Sequence, residues 1–238
     1  MGVMRLKAHI ESMFERAYPV SAVSQFKRIV HERATAAARD AGRSDVVVPI
    51  GLVLLIDAAN GGDATAAELA KRFGHLDAES RDIIDFHFAG WRRGADGKVE
   101  FSLAAFHEFR EALRGAGVSR FGGNCDLILV DAVFDGSDVM LAFEDAIHVD
   151  LAAAVKRERF PSLGGFLQTL IDAAEGVRAD ASAAGSPVHA ISNRLGVTLG
   201  GRSILAYVLE KWGAIIGASA LEAVAVRRVG SRVALRSF

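Results

Sequence analysis

Cysteine occurs once in the 238 residues, at Cys125. One thiol supports neither an intramolecular disulfide framework nor dithiol chemistry, and it fits a reducing compartment. Long apolar runs are missing too. The most apolar stretch, Val46–Ile56, lies between Asp45 and Asp57 and is too short to span a bilayer as a helix. Residues 1–18 carry charges throughout and have no apolar signal region, and Leu6 stands where a myristoylation signal takes Ser or Thr. The expectation is a cytoplasmic protein without a membrane span. Nucleotide and nucleophile fingerprints are absent: no G-x-G-x-x-G, no G-x-x-x-x-G-K-[ST], no H-E-x-x-H and no G-x-S-x-G.

Hydrophobic residues make up 51% of the chain and charged residues 24%, enough for a sizeable core. The net charge of −1 is unevenly spread. Residues 1–44 hold eight Lys/Arg against four Asp/Glu, and residues 189–238 hold seven against two, which leaves an acidic centre between basic ends. Such ends can attract the centre in cis or between subunits.

Periodicity divides the chain. Leu6, Ile10, Met13, Phe14 and Ala17 form one helical stripe ended by Pro19. Val23, Phe26, Val30 and Ala34 form a second, with Ser21 or Ser24 as N-cap. Ile50–Ile56 is apolar on both faces, as a central strand is, with Pro49 at its first position or just before it. Thr65 and Glu68 have capping-box spacing, ahead of a stripe of Leu69, Phe73 and Leu76. Ile83–Ala89 is the next strand, and Ala95–Lys98 a turn into a short ribbon ending at Phe101. Phe106, Phe109 and Leu113 mark a helix stopped near Gly115 and Gly117. Leu127–Phe134 and Val139–Val149 form a hairpin around Asp135-Gly136-Ser137-Asp138, and a helix follows through Leu163, Phe166, Leu167, Leu170 and Ala174. Residues 178–188, small and polar, read as a linker. Beyond them come an apolar helix through Ile204, Leu205, Val208, Trp212 and Ile215, and a terminal β-hairpin turning at Gly230-Ser231. The expected organisation is a helical extension over 1–44, a mixed α/β core over 45–177, a linker over 178–188, and a C-terminal helix and hairpin over 189–238.

From residue 50 to 176 the order strand, helix, strand, helix, strand, strand, helix resembles the thioredoxin-like fold. In redox members of that fold a Cys-x-x-Cys motif sits where the first strand meets its helix. Here that junction reads "DAANGGDAT", and the approach to the third strand, "VSRFGGNCD", lacks the usual cis-proline. The resemblance therefore implies a mixed sheet flanked by helices without thiol–disulfide chemistry.

Several residues could carry other chemistry. Asn60, Gly61 and Gly62 open a helix and could hold an anion on backbone amides. If the hairpin's second strand runs parallel to the first strand, three strand ends share one pole. Asp57, His87 and His148 are then candidate catalytic residues, since imidazole with carboxylate moves protons. Strand alternation places Asp85 with His87, and Glu144 with His148 and Asp150. No metal-ligand spacing and no cofactor signature is present. Asp145 shares strand parity with Leu141, Phe143, Ile147 and Val149, so it is a buried carboxylate unless a β-bulge intervenes at Glu144-Asp145. Cys125 reads as a small buried hydrophobe. Arg227, Arg228, Arg232 and Arg236 form a basic C-terminus suited to phosphates or to an acidic partner, and "AISNRLGVTLGGRSILAYVLEK" has helix-turn-helix cadence, though aromatic residues for base stacking are missing. Three functions follow. The first is a non-redox binding or assembly protein, a homo-oligomer or a subunit of a complex. The second is a hydrolase of a small or phosphorylated substrate, and the third a nucleic-acid binder.

Overall fold

The computed structural model describes residues 17–56, 83–93, 99–118, 125–151, 163–179, 185–194 and 232–234. They form β1 (Ala17–Val20), α1 (Val23–Ala41), β2 (Val46–Leu55), β3 (Asp85–Ala89), β4 (Trp91–Arg93), β5 (Val99–Phe101), α2 (Leu103–Gly115), β6 (Cys125–Phe134), β7 (Val139–Asp150), α3 (Leu163–Ala179), α4 (Pro187–Arg194) and β8 (Arg232–Ala234). The chain is a mixed α/β protein. Among the described residues the main sheet has the order β1-β3-β2-β6-β7-β8, and β4 with β5 forms a separate two-stranded ribbon. β1 and β2 both pair in parallel with β3, while β2–β6, β6–β7 and β7–β8 are antiparallel. β7 therefore runs in the direction of β2.

The central strands are apolar on both faces because helices cover both. Val23, Phe26, Val30, Ala34 and Ala38 recur at three- and four-residue steps and bury one stripe of α1. With Phe106, Phe109 and Leu113 of α2, that stripe packs on Ile50, Leu52, Leu54, Ile128 and Val130. On the opposite face, Phe166, Leu167, Leu170 and Ile171 of α3 and Val188 and Ile191 of α4 pack on Val53, Leu55, Phe86, Phe88, Leu127 and Leu129. Each fully buried large side chain contributes about 1.5–3 kcal/mol. Gly51, in the middle of β2, leaves room for Phe86: a Cβ there would meet the ring at 2.6 Å. Gly90, at φ 82°, closes β3 under α2, where a Cβ would lie 2.7 Å from Phe106 Cβ.

Local expectations are corrected in three places. Pro19 does not end a helix; it lies inside β1, an edge strand, where its missing N–H leaves no gap in the ladder. The N-cap of α1 is Ala22 rather than Ser21 or Ser24; Ser21 instead donates from its N–H and hydroxyl to Gln25 Oε1 at 3.0 and 3.2 Å. Pro49 lies within β2, not at its start. Pairing with β3 begins only at Ile50, so at Pro49 one side of β2 has no neighbouring strand and needs no donor. The helix and loop expected over 57–82, the stripe before Ala17, and the apolar helix near Trp212 lie outside the described residues. No helix of the described residues is long and apolar enough to cross a membrane.

Candidate functional site

A break in register builds the site. Leu129 of β6 faces Ile147 and Asp131 faces Ala142, so one residue of β6 stands against four of β7. Before this bulge, the odd-numbered Leu141 and Phe143 pack beneath α1 and α2. After it, Ile147 and Val149 pack beneath α3 and α4. The bulge thus exchanges the two faces of the strand. It spans Glu144 and Asp145, the second of which shares strand parity with Leu141, Phe143, Ile147 and Val149. It also turns His148 to the face of α1 and α2, which Asp126 shares with Ile128 and Val130.

There His148 Nε2 lies 2.7 Å from Asp126 Oδ1. The Asp126 side chain is 1% exposed and that of His148 is 14% exposed. A carboxylate so buried requires hydrogen-bond donors, and the imidazole supplies one. Asp150 stands directly opposite Asp126 in the ladder and is partly buried. Leu54, one residue from the end of β2, pairs with Asp126 on the other side. The pair therefore sits at the pole where β2 runs out towards Asp57. Trp91 fixes that end: its indole N–H donates to the Leu55 carbonyl at 2.9 Å, within the core.

The other predicted residues fall elsewhere. His87 occupies the same row as His148, through Leu52 and Ile128. Two strands separate them, so they are about 14 Å apart at ordinary strand spacing. The structure does not bring the two histidines together. His87 is 1% exposed and meets the Phe26 ring edge-on at 5.1 Å. Burial pushes its pKa down to about 3, so the ring is neutral near neutral pH. Asp85, two residues away, is buried against Arg33, whose Nε donates to Oδ2 at 2.7 Å. Asp57, Asn60, Gly61, Gly62, Arg227, Arg228 and Arg236 lie outside the described residues. Arg232 begins β8, beside Ala142 of β7. Cys125 is fully buried among apolar side chains. Among the described residues no group of three or more His, Cys, Asp or Glu is placed to hold a metal ion.

A second polar cluster lies on the α3/α4 face. Asp131, 2% exposed, accepts hydrogen bonds from the Ser186 hydroxyl and from the Val188 N–H, the latter at 3.2 Å to Oδ1. Ser186 Oγ in turn accepts from the His189 N–H at 2.9 Å and so caps α4. Sequence reading passed over Asp126 and Asp131. Their signal was two acidic residues inside "CDLILVDAVF", a strand otherwise apolar on both faces.

No protein-family model, curated protein or solved structure matches the chain, so geometry alone informs the function.

Proposed function

We propose that this chain is a non-redox binding protein, working in the cytoplasm as a homo-oligomer or as a subunit of a larger assembly, and that it takes its ligand at the pole where β2 and β7 end. The contact between Asp126 and His148 carries this reading. With Nε2 on Asp126, the other ring nitrogen, Nδ1, is the atom left to meet a ligand's polar group. The parallel β2–β3 pair and the antiparallel β6–β7 hairpin support a thioredoxin-like arrangement, in which this pole is the place where the first strand meets its helix. With one buried cysteine, the chemistry there is not dithiol exchange.

The same geometry supports a second reading. An imidazole oriented by a buried carboxylate is also the arrangement of a general base, which would make the protein a hydrolase of a small or phosphorylated substrate, with Asp57 as a further participant. Thermal-shift screening of nucleotides and sugar phosphates separates the two, with product release measured in parallel. Binding predicts a ligand that raises the melting temperature of the wild type, has no effect on His148→Ala, and is not consumed. Turnover that disappears in His148→Ala establishes the hydrolase instead. A shift fully retained in His148→Ala overturns the site. Salt-dependent binding of nucleic acid, lost on replacing Arg227 and Arg228, would move the function to the basic C-terminus.

A further inference from the structure

We infer that α4 is a latch. Residues 186–194 are held on the sheet by Asp131 and can let go as a unit while the sheet stays folded, uncovering the part of the core that Val188 and Ile191 fill.

Three observations support this. First, the described part of α4 is eight residues, and a helical segment of that length is not stable on its own in water. Its helicity therefore depends on docking. Second, at the start of the helix the hydrogen bonds converge on one side chain. Asp131 meets both the Ser186 hydroxyl and the Val188 N–H, at the end of the helix where unpaired backbone N–H groups collect. Beyond that anchor, its buried apolar contacts come from Val188 and Ile191. At its far end Arg194 lies over Gly176 of α3, where a Cβ would meet Nη1 at 2.8 Å. Third, the strand carrying Asp131 does not depend on α4. β6 is paired along its length with β2 and β7, and its other face is buried under α1 and α2. Losing α4 removes a cover from the sheet and breaks no ladder. Local openings of this kind lie below the global unfolding free energy.

Native-state hydrogen exchange on the full chain tests this, using wild type, Asp131→Asn and Ser186→Ala. Asp131→Asn keeps the side-chain volume and removes the charge and one acceptor oxygen. Ser186→Ala leaves the sheet untouched should the first variant fold poorly. Losing a hydrogen bond to a charged group predicts exchange about tenfold faster or more in amides 188–194. In the wild type those amides should already open at a lower free energy, and with less urea dependence, than the amides of β2 and β6. Equal opening free energies and equal urea dependence for 188–194, β2 and β6 in the wild type overturn the latch, because α4 then opens only with the whole sheet. Unchanged exchange at 188–194 in both variants overturns Asp131 as its anchor.

Discussion

Asp126 and Asp131 lie five residues apart on one strand and are almost equally buried, yet they serve opposite faces of the sheet. Asp126 meets an imidazole that keeps some access to solvent. Asp131 meets a hydroxyl and a backbone N–H at the start of a helix. A buried carboxylate must be satisfied, but its partner decides what it does. A titratable side chain at a strand end makes a site for chemistry or recognition, whereas a helix terminus makes an attachment. Asp85, with Arg33, and His87, buried neutral beside Phe26, add two more solutions on the α1 face.

The strongest way to break this comparison is to remove the helix that Asp131 holds. Truncation after Asp180 deletes Ser186, Val188, Ile191 and β8. From apolar burial and the charged hydrogen bond alone this costs roughly 5 kcal/mol or more, and the melting temperature should fall by roughly 10 °C or more, or the protein should become insoluble. An equally stable, monodisperse truncated protein would show that the segment is an appendage.

Acid sets these buried carboxylates against a buried imidazole. His87 has a folded pKa of about 3 against an ordinary 6.5, so below pH 6.5 the unfolded chain binds the extra proton. Its contribution is complete above pH 6.5 and is lost as pH falls, by at most about 1.4 kcal/mol per pH unit, until pH reaches its folded value. Urea titrations at pH 7 and pH 5 should show a smaller difference in His87→Leu than in wild type. An identical difference in both would show that His87 contributes nothing to the acid sensitivity.

The smallest effect is the difference, about 1–2 kcal/mol, between the two aspartates. Asp131→Ala leaves the Val188 N–H buried without its acceptor and should cost about 2–4 kcal/mol. Asp126→Ala frees an imidazole that can turn to water and should cost about 1–2 kcal/mol. Equal costs in chemical denaturation would remove the distinction between attachment and site.

Local patterning made much of the fold legible. The stripe from Val23 to Ala38 specifies α1, and Ser102, accepting from the Ala105 N–H at 3.4 Å, begins α2 where Phe106 and Phe109 required it. The turn at Asp135–Asp138 specifies the β6–β7 hairpin, with Asp135 accepting from the Ser137 and Asp138 N–H groups. These signals are short-range: one residue's face or φ preference is written in its neighbours. β1 escaped because its four residues include a proline and its partner strand lies more than sixty residues away. The site escaped for a related reason. His148 was visible as a candidate, but strand alternation alone cannot give its face, because the bulge exchanges the faces within the strand. Nor can it show that His87 stays two strands away.

Alone, the sequence determined the mixed α/β class, the central strand at 50–56 and the hairpin, each through composition or through contacts within a few residues. Only the tertiary structure decided which partner each buried carboxylate meets. Arg33 with Asp85, His148 with Asp126 and Ser186 with Asp131 are contacts between 22 and 55 residues apart. Pairing at that range is set by strand order and register, and a one-residue slip in register changes every partner.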